Sequence, residues 1–188
     1  MLIALAGLPG TGKTSLCREL APLLDAVALD KDAVRAALFQ SRDIDYSDDQ
    51  NDLCMEVIYQ VAGYLLRRDP QRHVILDGRT FSRTDQVESL RQAARSMGTQ
   101  LGIIECVCCE ATARRRLDPA GQSTQHPAAD RDEKLYERLK NHREPIDSPH
   151  LVLDTEENDP QECARLARDF VMQLLQNKRE KSDHGAHG

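Results

Sequence analysis

The hydrophobic positions fall in short blocks separated by polar segments, and their period changes from block to block. Leu2-Ile3-Ala4-Leu5-Ala6 is a continuous apolar run, the pattern of a strand buried on both faces. Over residues 15–24 the apolar positions Leu16, Leu20, Leu23 and Leu24 recur at helical spacing. Residues 26–29 predict a second strand. Leu53, Val57, Ile58, Val61, Leu65 and Leu66 then predict a long amphipathic helix ending near Arg67-Arg68, with Asp69-Pro70 as its stop. Further strands are expected at 73–77, 101–109 and 151–153. Helices are expected at 84–96, through Ala113 and Leu117, at 132–142 with Leu135 and Leu139 inward, and at 160–175. Strand and helix alternate throughout, which predicts a three-layer α/β/α sandwich around a five-stranded parallel sheet.

Between the first strand and the first helix stands Gly7-Leu8-Pro9-Gly10-Thr11-Gly12-Lys13-Thr14, which fits G-x-x-x-x-G-K-[ST]. In the phosphate-binding loop (P-loop) that this pattern describes, glycines let backbone N–H groups converge on a polyphosphate. The lysine reaches the β- and γ-phosphates, and the last hydroxyl binds Mg²⁺. The helix that follows points its unpaired N–H groups and partial positive charge at the same place. Residues 7–15, Gly7 to Ser15, are therefore the expected nucleotide contacts, with Thr14 on the metal.

In an open α/β sheet ligands bind beyond the carboxyl ends of the strands. The second strand delivers Asp30-Lys31-Asp32-Ala33-Val34-Arg35 there, which makes Asp30, Asp32 and Arg35 candidate substrate-side residues. On a helix, Asp32 and Arg35 share a face, giving a carboxylate that accepts a hydroxyl proton beside a cation that holds a substrate or transferred phosphate. An aspartate N-cap followed by an exposed arginine fits the same spacing. The third strand ends in Asp77, the arrangement by which P-loop enzymes place a carboxylate near Mg²⁺. Arg79 and Arg83 follow at once, the first a candidate for substrate and the second for the phosphoryl group. Arg114, Arg115 and Arg116 fan over about 200° of a helix, so at most one or two of them face the nucleotide. The polar stretch of about 118–131, with two prolines and a glycine, reads as a loop that closes over the site as a lid.

Composition narrows this picture. The 188 residues are 40% apolar, enough for one sizeable core, so a single domain over 1–177 is expected, with 178–188 a polar, disordered tail. A net charge of -6 disfavours general attraction to nucleic acid or anionic membrane. No apolar run approaches the roughly 18 residues of a membrane span, and Met1 leads straight into the first strand, so a soluble, cytoplasmic chain is expected. The six cysteines are expected as reduced thiols, and Cys106-Val107-Cys108-Cys109 lacks the spacing of a zinc site.

The phosphate loop, the Asp30-x-Asp32-x-x-Arg35 element, Asp77 with Arg83, and Arg116-Leu117 before the lid together resemble the small P-loop kinases. The stretch 29–35 is similar to the acidic motif of adenylylsulfate kinases, and the order of elements resembles polynucleotide 5′-kinases, chloramphenicol phosphotransferases and AAA-type P-loop kinase-like proteins. The resemblance implies strand order 2-3-1-4-5 and the P-loop NTP hydrolase fold, with ATP on the first loop and Mg²⁺ as cofactor. It also implies an acceptor bound between the second-strand acid and the lid. Carried over, Asp32 aligns the acceptor hydroxyl, Arg35 clamps substrate and Arg116 lies on the phosphates; with Lys13 on the phosphate oxygens and Arg83 on the moving phosphoryl group, the expected catalytic set is Lys13, Asp32, Arg83 and Arg116. Where relatives often carry a further lid arginine a turn after Arg116, this chain has Ala120, so either Arg131 substitutes or the lid works differently. The expected activity is transfer of the γ-phosphate of ATP to a hydroxyl of a small molecule. The alternatives are a nucleotide-dependent ATPase switch that binds a protein partner and a nucleic-acid 5′-hydroxyl kinase, the latter disfavoured by acidity and few aromatics.

Overall fold

The structure, a computed structural model, describes residues 1–117 and 133–184. The expected lid, with Ala120 and Arg131, lies outside the described residues. In chain order the elements are β1 (Leu2–Ala6), α1 (Lys13–Leu23), β2 (Ala26–Asp30), α2 (Lys31–Leu38), a single 3-10 turn (Ser41–Asp43), and α3 (Asp48–Arg68). They continue as β3 (His73–Asp77), α4 (Thr84–Ser96), β4 (Leu101–Val107), α5 (Glu110–Leu117), α6 (Glu133–Asn141), β5 (Leu151–Asp154) and α7 (Pro160–His184). The five strands form one sheet in the order β2-β3-β1-β4-β5, every pairing parallel, with helices on both faces. This is the architecture and strand order of the P-loop kinase fold.

Side chains alternate across each strand, so β1 feeds two cores at once. Ile3 and Leu5 join Ile75, Ile104 and Leu153 under α1 (Leu16, Cys17, Leu20) and α7 (Cys163, Ala164, Ala167, Val171). Leu2, Ala4 and Ala6 join Val74, Leu76 and Ile103 under α3 (Met55, Ile58, Ala62, Leu66) and α4 (Val87, Leu90, Ala94). All five β1 residues are fully buried, and each large one contributes about 1.5–3 kcal/mol of burial free energy. A third, smaller cluster packs Tyr136 and Leu139 of α6 with Ala113 and Leu117 of α5 on Leu8 of the phosphate loop. All strand C-termini lie at one edge, and that edge holds the site.

Four expectations change. On α3, Leu53 and Val61 are 45% and 40% exposed, because the residues that join the core under the sheet are Met55, Ile58, Ala62 and Leu66. On α1, Leu23 is exposed while Leu24, just past the helix, is buried. The fourth strand stops at Val107, since Cys109 is already the first carbonyl of α5, accepting from Ala113 N at 3.0 Å. Helix α7 continues to His184, beyond the start of the expected tail at 178, through Lys, Arg and Glu residues of good helix propensity. Among the described residues no helix is long and apolar enough to cross a membrane.

Candidate active site

Why the chain turns sharply after β1 is visible at two glycines. Gly7 has φ 127°, and a Cβ there would lie 2.3 Å from the Cys106 carbonyl oxygen. Gly10 has φ 79°, and its Cβ would lie 2.6 Å from the Ala113 carbonyl oxygen. Backbone thus passes closer to β4 and α5 than any side chain permits. Within the loop, the Thr11 hydroxyl donates to Leu8 O at 2.8 Å, and Lys13 Nζ donates to Gly7 O at 2.8 Å and Leu8 O at 2.9 Å. Helix α1 begins at Lys13 with no acid in its first turn, so its dipole, its free N–H groups and the lysine add to one positive locus. Thr14 is half-buried and Ser15 exposed at that helix start, while Leu8, Pro9 and Thr11 are buried behind it.

Arg116 lies over this loop. It donates to Thr155 Oγ1 and Thr155 O, both at 2.8 Å, and approaches Gly10 O at 3.4 Å. Thr155, at the end of β5, directs its hydroxyl to Thr11 O at 3.0 Å and Val107 O at 3.2 Å. The other two arginines are engaged elsewhere: Arg114 pairs with Glu110 and Glu137, and Arg115 donates to Thr112 Oγ1. One of the three therefore faces the loop, as their fan predicts. The next residue, Glu156, accepts from Thr112 Oγ1 at 2.6 Å, Cys109 N at 2.8 Å and Cys109 Sγ at 3.2 Å, satisfying the first turn of α5 from outside the helix. These donors, the Thr112 hydroxyl foremost, push its carboxyl down to about 2. Neither Thr155 nor Glu156 was assigned a role from sequence. The only local signal is that β5 ends immediately before them at the ligand edge.

On the other side of the loop, Asp30 and Asp77 stand opposite each other as partners in the β2–β3 register. Asp30 is the N-cap of α2, its Oδ1 accepting from Asp32 N at 2.7 Å and Ala33 N at 3.1 Å. Asp77 is 3% exposed, accepts from Gly78 N at 2.7 Å, and makes no ion pair among the described residues. Both carboxylates lie within electrostatic reach of α1, where burial first, then Asp77 and Asp30, push the Cys17 thiol up to about 12. A buried carboxylate without a cation is costly. The oxygen donors Asp77 and Thr14 suit a hard divalent ion such as Mg²⁺, so the residues fit the metal expected of them.

Asp32 and Arg35 do share a face of α2, and both are buried. Arg35 Nη1 lies 2.5 Å from Asp32 Oδ1, and the same guanidinium donates to Asn51 Oδ1 and lies 4.7 Å from the Tyr46 ring centroid. Lys31 Nζ donates to Asn51 Oδ1 at 2.7 Å and lies 3.7 Å from Asp32 Oδ1. Tyr46 holds a left-handed φ of 54° to put its ring there, an uncommon conformation for an aromatic residue. Asn51 and Tyr46 are thus site residues that sequence reading missed. Arg79 donates to Asp52 at 2.6 Å. Arg83 donates to Asp85 at 2.6 and 3.0 Å and to Asp48 at 3.1 Å, contacts that push its guanidinium pKa further up, Asp85 most of all. The structure gathers Lys13, Thr14, Asp30, Asp32, Asp77 and Arg116 around one edge, buries Arg35 behind Asp32, and turns Arg83 toward α3.

A family model described as an AAA domain matches residues 2–146. Among solved structures, a candidate kinase from Chloroflexus aurantiacus is 25% identical, with a TM-score of 0.67 over 89% of this chain and 96% of that one. The APS kinase of Mycobacterium tuberculosis, in complex with AMPPNP and APS, is 19% identical, with a TM-score of 0.66 over 93% and 96%. Kti12 of Chaetomium thermophilum, in complex with ADP-AlF3, is 18% identical, with a TM-score of 0.65 over 93% and 98%. At these last two identities the likeness is one of fold. No curated protein matches the sequence.

Proposed function

The chain belongs to the AAA domain family that matches residues 2–146, and from that premise we propose that it is an ATP-dependent phosphotransferase acting on a hydroxyl of a small molecule. The observation that carries the reading is the buried Asp32 on α2, at the same sheet edge as Lys13 and the start of α1. A nucleotide-binding loop alone serves many activities; a fixed carboxylate on the acceptor side is what a kinase adds.

In this reading the phosphates lie on the loop. Lys13 and the first N–H groups of α1 stabilise charge that builds on the phosphate oxygens, and Arg116, fixed by Thr155, adds a cation from the opposite side. Asp32 orients the acceptor hydroxyl and takes its proton. Arg35 acts through Asp32, since its burial leaves no surface for a substrate clamp. Thr14 and Asp77 would hold Mg²⁺, which when bound would supply positive charge to offset that of the phosphate oxygens. Arg83 reaches the phosphoryl group only by exchanging Asp85 and Asp48, so Arg116 is the principal arginine.

The test is consumption of ATP with Mg²⁺, with and without a panel of hydroxylated metabolites, antibiotics and a 5′-hydroxyl oligonucleotide, following phosphate into each acceptor. Stimulation by one acceptor with its phosphorylated product, abolished by Lys13→Ala, is the expected result. A second reading, a nucleotide switch for a protein partner, draws on the exposed apolar side chains Leu53, Val61 and Tyr64 of α3. Tight ATP binding with slow, acceptor-independent hydrolysis across the panel favours it.

A further inference from the structure

The acceptor side of the site carries a definite electrostatic character. Its cations are Lys31, Arg35 and Arg79, and each already has an acidic or amide partner. Arg35 is 2% exposed and bound to Asp32, Asn51 and the Tyr46 ring. Lys31, 12% exposed, is held by Asn51 and Asp32. Arg79, 11% exposed, is held by Asp52. The buried Arg35–Asp32 pair stays together, because separating it leaves an uncompensated charge in a poor solvent for it, whereas Asp52 on Arg79 is 54% exposed.

Around these pairs the surplus is negative. Residues 30–52 and 77–85 carry nine aspartates against five lysines and arginines, and the exposed members include Asp48, Asp49 and Asp52 at the start of α3. The excess persists without Asp30, which caps α2, and Asp77, which accepts from Gly78 N. A phosphate, sulfate or carboxylate entering here would have to displace Asp52 from Arg79 and sit in a field of its own sign. Like-charge juxtaposition of this kind excludes wrong partners.

We infer that the acceptor is a non-anionic hydroxyl compound, neutral or amine-bearing, with no phosphate, sulfate or carboxylate where it meets Lys31 and Arg79. This rests on the kinase reading of the same site and makes it narrower. The exclusion reaches the adenylylsulfate to which the 29–35 stretch is similar, because the arginine that would meet an anion is sealed behind Asp32.

Two measurements on the full chain test it. In the first, labelled γ-phosphate is followed into acceptor pairs matched except for charge: ribose and ribose 5-phosphate, glucosamine and glucosamine 6-phosphate, adenosine and adenylylsulfate. The neutral or amino member should be preferred in kcat/KM by about tenfold or more. Equal or better use of an anionic member overturns the inference.

In the second, the phosphate loop is saturated with Mg-ADP and sodium sulfate is the probe of the acceptor side. Thermal midpoints are read as the difference from Arg79→Ala, which cancels the stabilisation that sulfate gives any protein. Wild type should show no difference, whereas Asp52→Asn, which releases Arg79, should show a sulfate-dependent rise. A rise in wild type, or none in Asp52→Asn, overturns the inference. Absence of transfer to every acceptor with ADP still bound defeats the kinase reading itself, and the sulfate series still decides the charge of the pocket.

Discussion

The Asp32 carboxylate and the Arg35 guanidinium meet at 2.5 Å, three residues apart on α2, with 6% and 2% of their side chains exposed. So close and so dry a pair is not a surface ornament. Its attraction offsets the loss of water around both charges, and the remaining guanidinium contacts go to Asn51 on α3 and to Tyr46 just before it. The pair therefore locks α2 to α3 and fixes Asp32 in the site.

Removing Arg35 alone leaves Asp32 buried without its closest cation. Arg35→Ala should lose about 3–5 kcal/mol of stability by urea unfolding, the cost of orphaning one member of a buried pair. Arg35→Lys should recover part of that while losing the Asn51 and Tyr46 contacts, which need the planar fork. A midpoint for Arg35→Ala indistinguishable from wild type would sink this account of α2.

Thr155→Val keeps the shape of the side chain and deletes one of two anchors on Arg116, the Oγ1 contact at 2.8 Å, leaving the carbonyl contact in place. A hydrogen bond to a charged group contributes about 1.5–3 kcal/mol. ADP affinity should fall by about tenfold, as should the effect of Arg116→Ala measured in the Thr155→Val background, because the two residues act as one unit. Independent, additive effects on ADP titration would show that Arg116 does not need Thr155.

Phe81 is 1% exposed at φ 47°, in the turn whose Thr80 carbonyl accepts from Gly7 N at 2.9 Å. Its ring anchors the β3–α4 turn in the core beneath the phosphate loop. Phe81→Ala should cost about 3–5 kcal/mol. The left-handed backbone reverses the usual order of small residues: Phe81→Gly should be at least as stable as Phe81→Ala, because glycine lacks the Cβ strain of about 1–2 kcal/mol. Urea midpoints for the two variants decide it, and a clearly more stable alanine variant contradicts the strain argument.

What was legible in the sequence was local. The β1–loop–α1 unit, the third strand and α4 follow from hydrophobic period and from the spacing of glycines and lysine, all determined within a dozen residues. The helix faces were harder. On α3 the buried face combines Ile58 and Leu66 with Cys54, Met55, Ala62 and Gly63, and a search for leucine, isoleucine and valine passes over those last four. The site's partners were harder still, because they are set by which strand ends lie side by side. Thr155 meets Thr11 across 144 positions, Arg116 meets Gly10 across 106, and Arg83 meets Asp48 across 35. Nothing in the local pattern around Arg83 distinguishes a cation aimed at phosphate from one paired with α3.

Glu156 gives a pH dependence whose sign follows from its contacts. The Thr112 hydroxyl, then the Cys109 N–H and thiol, hold its carboxyl at about 2, below the ordinary glutamate value of 4.5. A group depressed on folding binds its proton more readily in the unfolded chain, so its stabilisation is complete above about 4.5 and is lost as pH falls through about 2. The stability difference between wild type and Glu156→Gln should therefore be constant near neutrality and shrink over that acid window. Since Glu156 caps α5, and α5 carries Arg116, the same variant should weaken ADP binding at neutral pH. A stability difference that stays flat down to about pH 2 would mean that the charge of Glu156 contributes nothing and that only its hydrogen-bonding shape matters.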